Sequence, residues 1–248
     1  MVQDTNESGA RLSGVIEVDV VRANAATFPH LTDLRPLLSR DEAARYEAFK
    51  VREAATTFLL ARALLRRELS DRLRIEPAAV AFSLRGSGKP DLTRPSADSP
   101  DWRFSVSHTG PHVAIAFALG ADVGLDIERV DRLTNPLDIA SRYFTAREQR
   151  GLRAATTDAV PRAFFAGWTR KEAIVKARGS TMSESLDSVS VDLDPAAGHP
   201  SYEDARDRPV CRLTSFEWPA DRLIGAVAVI GSSHPVLRVT VCDAVRMD

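Results

Sequence analysis

Two short segments carry acids and a lysine at spacings that suit a cation and a phosphate. In Val123-Gly124-Leu125-Asp126-Ile127-Glu128 the two-residue period of a strand puts Val123, Leu125 and Ile127 on one face and Gly124, Asp126 and Glu128 on the other. Two carboxylates one strand repeat apart can share a divalent cation, and the glycine beside them lets a ligand approach the backbone. Hard oxygen ligands in small number suit Mg²⁺. The plainer alternative is an edge strand with a solvated acidic face. In the segment Phe164 to Gly179, Trp168, Glu172 and Lys176 stand at i, i+4 and i+8 of a helix and form one stripe. An aromatic, an acid and a lysine in line suit a face that borders a polar cleft; a Glu–Lys surface pair is the alternative.

Phe104-Ser105-Val106-Ser107-His108-Thr109-Gly110 ends a strand in hydroxyl and imidazole donors at a turn, which suits an anion. Upstream, Lys89 in Gly86-Ser87-Gly88-Lys89-Pro90 offers a positioned point charge. Both also read as an ordinary strand end and turn. Arg45, Arg52, Arg62 and Arg66 recur along a helical stretch and suit phosphates or a solvated cationic face. There is no Gly-x-Ser-x-Gly elbow, Walker loop or dinucleotide-binding glycine fingerprint.

These segments need a scaffold, and the pattern supplies one. A strand is expected at 14–21, a helical stretch from Ser39 to Leu69 with Ser39 or Asp41 as cap, and strands at 80–84, 102–107 and 113–119. The order then repeats: a strand at 123–128, helices at 136–150 and 161–178, and strands at 189–193, 211–216 and 223–230. Val18-Asp19-Val20 matches Leu125-Asp126-Ile127, Arg45-Tyr46 with Glu53 matches Arg142-Tyr143 with Glu148, and 79–84 matches 188–193. The shared order predicts an α+β fold of two similar halves, 14–121 and 122–243, packed face to face with the site in the cleft between them.

The 248 residues carry 33 basic and 34 acidic side chains, a net charge of −1, which argues against a generic nucleic-acid binder. The longest apolar run, 113–119, is far short of the roughly 18 residues of a membrane span, and the polar start has no signal-peptide character. Cys211 and Cys242 offer neither a disulfide framework nor zinc spacing, so a cytoplasmic protein is expected. Only Lys50, Lys89, Lys171 and Lys176 are lysines in this arginine-biased chain, and three of them fall in the segments above.

In order, the segments resemble those of the 4′-phosphopantetheinyl transferases of the broad-specificity, surfactin-synthetase type. Gly88-Lys89-Pro90, Ser107-His108-Thr109, Gly124-Leu125-Asp126-Ile127-Glu128 and Trp168-Thr169-Arg170-Lys171-Glu172-Ala173-Ile174-Val175-Lys176 carry the resemblance, with Arg142 to Glu148 between them. It runs from about Ser39 to Ile230. Thr109 stands for the usual serine, Leu125 for isoleucine, and the tail to Asp248 lies outside it.

The resemblance implies two α+β halves related by a pseudo-twofold axis. It also implies transfer of the 4′-phosphopantetheine arm of coenzyme A to a serine of an apo acyl or peptidyl carrier protein. Asp126, Glu128 and Glu172 would bind Mg²⁺, and Lys176 would meet the pyrophosphate. Glu148 or Glu172 would take the serine proton. Lys89, Ser107 and His108 would hold coenzyme A phosphates, joined by Arg52 and Arg62. A monomer is implied, the second half standing in for a partner subunit. The rival readings are another Mg²⁺-dependent enzyme acting on a nucleotide pyrophosphate, and a non-catalytic module binding coenzyme A or carrier proteins.

Overall fold

The computed structural model describes residues 15–84, 90–131, 135–180, 186–205, 211–230 and 236–244. Strand β1 (Val15–Asn24) leads to helices α1 (Arg40–Glu47) and α2 (Arg52–Leu73) and a hairpin of β2 (Ala81–Leu84) and β3 (Pro90–Thr93). Strands β4 (Trp102–Thr109) and β5 (His112–Leu119) follow, joined by the two-residue Gly110-Pro111 turn. The second half runs through β6 (Asp122–Arg129), α3 (Pro136–Tyr143), α4 (Ala146–Ala154), α5 (Val160–Arg178), β7 (Val189–Val191), β8 (Tyr202–Asp204), β9 (Cys211–Trp218), β10 (Leu223–Ile230) and β11 (Val236–Asp243).

The main sheets have strand orders β11-β1-β5-β4 and β6-β10-β9. They lie face to face, each covered outside by its long helix, so the layers run α2, sheet, sheet, α5. β5 shows how the sequence dictates this. Val113, Ile115 and Phe117 join Leu60, Leu64 and Leu65 of α2, while Ala114, Ala116 and Ala118 meet Val123, Leu125 and Ile127 across the sheets. A strand buried on both faces needs an unbroken apolar run, and alanines on the inner face let the sheets approach closely. β10 repeats the logic, with Val227 and Val229 between the sheets and Ala226 and Ala228 under α5.

The halves repeat down to their charged groups. α1 and α4 each begin with a reciprocal capping box, Ser39 with Glu42 and Thr145 with Glu148. Each buried glutamate then receives a cation from the following long helix: Arg66 and Arg62 for Glu42, Lys171 for Glu148. Asp19 of β1 pairs with Arg72, which also meets Glu68 one turn earlier on α2, just as Asp126 of β6 pairs with Lys176 on the helix bearing Glu172. The structure therefore matches Glu42, not Glu53, to Glu148.

Three further expectations change. The stretch from Ser39 to Leu69 is two helices, broken at 48–51, and 136–150 is broken at Thr145, because a new capping box starts a helix there. The last strand does not join the second half: β11 pairs in parallel with β1, Val15 with Val236 through Arg22 with Asp243. Finally, Gly124 serves the helix and not a ligand. A Cβ there would sit 1.9 Å from the Ala173 carbonyl oxygen and 2.4 Å from the Ala177 nitrogen, so only glycine lets α5 lie this close on β6.

Candidate active site

Because Val123, Leu125 and Ile127 point between the sheets, Asp126 and Glu128 point toward α5. The helix answers with Glu172 and Lys176. Asp126 is 4% exposed and Glu172 5%, so the acidic strand face is buried rather than solvated. The Lys176 Nζ donates to Asp126 Oδ1 at 2.7 Å. Asp126 Oδ2 and Glu172 Oε1 are buried and accept no hydrogen bond among the described residues. Burial, reinforced by the negative charges of Asp126 and Glu128, pushes the Glu172 carboxyl up to about 7. Asp126, helped by Glu172 and Glu128, outweighs burial and holds the Lys176 ammonium above the usual lysine range.

The first half contributes through β4, which runs alongside β6 in the same direction without a backbone ladder. Its hydroxyls replace the ladder. Leu125 N donates to Ser105 Oγ at 3.0 Å and Ile127 N to Ser107 Oγ at 3.2 Å. Ser107 Oγ in turn donates to Asp126 Oδ1 at 2.8 Å, and Thr109 Oγ1 to Glu128 Oε2 at 2.9 Å. His108, between them on the strand, is exposed and lies near enough to feel the charges of Lys176 and Asp126. Partial burial and the Lys176 ammonium hold its imidazole below the ordinary histidine range.

Helix α5 is set on the sheet by buried cations that leave Lys176 to the site. Arg170 donates to Ser215 Oγ at 2.9 Å and to the carbonyls of Asp192, Asp194 and Ala197 at 2.7–3.0 Å. Lys171 Nζ donates to Glu148 Oε2 at 2.7 Å and to the Val189 carbonyl, and Arg178 pairs with Asp204. Trp168 packs edge-on against Tyr143 and stacks on Phe164, with centroids 5.7 and 5.8 Å apart, at the end of an apolar cluster.

The structure thus brings together Asp126, Glu128, Glu172, Lys176, Ser107 and His108. It does not bring Glu148 to them. Glu148 accepts from Thr145 N, Thr145 Oγ1, Lys171 Nζ and Val191 N, and both its oxygens are taken by the frame. Arg62 is paired with Glu42 and lies 4.6 Å over the Phe82 ring, and Arg52 is exposed at the first position of α2. Lys89 lies outside the described residues. Thr109 was expected as an anion donor and instead donates to Glu128, while the roles of Ser105 as acceptor from β6 and of Arg170 as anchor were not expected. The alternation Ser105, Ser107, Thr109 on one strand face was the available signal for the first two.

A family model described as the 4′-phosphopantetheinyl transferase superfamily matches residues 122–227, and one for the N-terminal part of a 4′-phosphopantetheinyl transferase matches 26–119. The 4′-phosphopantetheinyl transferase HetI of a Nostoc species is 32% identical over 207 residues, covering 81% of this chain and 82% of that one. The chain belongs to the 4′-phosphopantetheinyl transferases. Within that family the transferase is also 31% identical to Sfp of Bacillus subtilis strain 168, over 73% of this chain and 77% of that relative. A second Bacillus subtilis 4′-phosphopantetheinyl transferase is 28% identical over 85% and 87% of the two chains. The transferase is of the surfactin-synthetase-activating type expected from its motifs, and its seam between β4, β6 and α5 joins the two matched regions.

Proposed function

We propose that this seam is where the transferase moves 4′-phosphopantetheine from coenzyme A to a carrier-protein serine, with Asp126, Glu128 and Glu172 as ligands of Mg²⁺. The observation that carries the reading is the pair of bare, buried carboxylate oxygens on Asp126 and Glu172. Buried acceptors normally have partners, and an all-carboxylate set of hard oxygens suits Mg²⁺ rather than a softer metal. Among the described residues no three such groups are drawn into a ready-made cation site; the charge facing Asp126 is the Lys176 ammonium. Mg²⁺ would supply charge neutralisation on the pyrophosphate.

In the transfer, the carrier serine oxygen forms a bond to the phosphorus bearing pantetheine, and the bond from that phosphorus to the adenosine 3′,5′-bisphosphate oxygen breaks. Lys176 compensates negative charge on the departing phosphate. Glu172 accepts the serine proton directly or through water. Glu148, committed to the frame, supports α5 from behind. His108 is placed to contact an anionic group of coenzyme A at the mouth of the seam. Lys89 and Arg52 stand as further candidates for its phosphates, while Arg62 is engaged by Glu42. Acyl and peptidyl carriers of fatty-acid, polyketide or nonribosomal peptide synthesis are the proposed partners. The proposal extends to a monomer, since one chain supplies both sides of the seam, and to the cytoplasm, in keeping with the cysteine content. Among the described residues no helix is long and apolar enough to cross a membrane.

The test is the intact mass of an apo acyl-carrier protein after incubation with the transferase, coenzyme A and Mg²⁺. A gain of one phosphopantetheine, abolished by EDTA, is expected. No gain on acyl or peptidyl carriers, with coenzyme A still bound, would leave a non-catalytic binding module.

Glu172 also makes a prediction that needs no substrate. Its folded pKa, about 7, lies above the ordinary value of 4.5, so the folded protein holds this proton more tightly than the unfolded chain does. The contribution is therefore present below about pH 4.5 and lost as pH rises through about 7. In metal-free buffer, urea midpoints of Glu172→Gln should lose this component of the decline between pH 5 and 8. An identical pH slope in wild type and variant would refute the shift.

A further inference from the structure

The hydroxyls of β4 do two things at once. Each of Ser105 and Ser107 accepts a backbone N–H of β6, and Ser107 and Thr109 pass a proton donor on to the two strand carboxylates. On Asp126 this settles which oxygen is open. Oδ1 takes both the Ser107 hydroxyl and the Lys176 ammonium, while Oδ2 is left bare. Ser107 is 5% exposed and Thr109 3%, so neither hydroxyl is presented to solvent as a phosphate donor would be.

We infer that Ser107 and Thr109 are positioning residues, which orient Asp126 and Glu128 toward a divalent cation from the opposite half of the chain and do not bind coenzyme A. This rests on the assignment of those carboxylates as cation ligands. A hydroxyl that holds a carboxylate limits its orientation, and removing such a support costs metal affinity about 10–100-fold in known metal sites. The arrangement makes the cation site a product of both halves, although all its proposed ligands lie in the second.

The experiment uses the full chain and Mn²⁺, with free ion counted by electron paramagnetic resonance. Binding of adenosine 3′,5′-bisphosphate in EDTA is measured beside it. Thr109→Val, which replaces the hydroxyl by a methyl group of similar size, should weaken Mn²⁺ binding about tenfold, and Thr109→Ser should restore it. Ser107→Ala should weaken it at least as much, and nucleotide affinity in EDTA should stay unchanged in all three. Should Ser107→Ala fail to fold, the Thr109 pair decides alone. Unchanged Mn²⁺ affinity in Thr109→Val, or no recovery in Thr109→Ser, overturns the inference. So does a fall in nucleotide affinity with Mn²⁺ binding intact, which would make the hydroxyls phosphate donors. If the wild-type chain binds no Mn²⁺, the cation reading itself falls and the inference with it; that outcome is distinct from wild-type binding that the variants leave untouched.

Discussion

Asp126→Ala is expected to lower the rate of carrier modification by roughly a thousandfold at saturating coenzyme A, a loss at the upper end for removal of one preorganised charged group. The fold should survive. Asp126→Ala puts a small apolar side chain in a buried place, and the Lys176 side chain, 29% exposed, can turn its ammonium to water when its partner is lost. A coupled effect separates this account from simple damage. With the Asp126 charge gone, Glu172 loses the larger of the two carboxylate repulsions that raise it and should ionise at lower pH. Single-turnover rates by intact mass, circular dichroism melts and the pH dependence of stability test the three parts. Full activity would remove Asp126 from the site; loss of folded protein would make it a structural residue.

The second large effect lies outside the cluster. Lys171 is fully buried, its side chain 0% exposed, and its ammonium sits 2.7 Å from Glu148. Lys171→Met keeps the length of the side chain but leaves the Glu148 carboxylate without its counter-charge. Breaking a buried pair from one side costs about 3–5 kcal/mol, a large share of the roughly 5–15 kcal/mol that holds a typical domain. Melting should fall by roughly 10 °C. Turnover per folded molecule should drop far less than in Asp126→Ala, because Lys171 reaches Glu148 and the Val189 carbonyl, not the seam. Normal stability with abolished turnover would instead give Lys171 a chemical role.

The two lysines of one helix show what was legible in the sequence. Stripe geometry put Glu172 and Lys176 on one helix face, and that face meets Asp126, since helix and strand periods depend only on local backbone geometry. The same periods placed Asp126 and Glu128 on one strand face, and the shared order of local matches foresaw the two halves. What local periods do not carry is which buried acid is satisfied by distant groups. Glu148 looked like a candidate base, yet Thr145-Ala146-Arg147-Glu148 is itself a capping-box pattern, and that pattern assigns the carboxylate to the frame. Gly124 looked like room for a ligand because nothing in one strand announces the helix that crosses it. β11 went unread although Val236, Val239 and Val241 sit in a short strand-like run, because its partner β1 lies at the other end of the chain.

That last strand has a consequence for counting. The first half keeps its own acid, acid and cation in Asp19, Glu68 and Arg72, at the places where the second half has Asp126, Glu172 and Lys176. Beside Asp126 the neighbouring strand is β4, which offers hydroxyls; beside Asp19 it is β11, which closes a full ladder and brings the Cys242 thiol up among those charges. Duplication would have produced two equal clefts, and β11 makes them unequal by filling one. Titrated with adenosine 3′,5′-bisphosphate, each chain should therefore saturate at a single nucleotide, a stoichiometry written by the strand that β1 takes as its neighbour and not by the chemistry of either cleft.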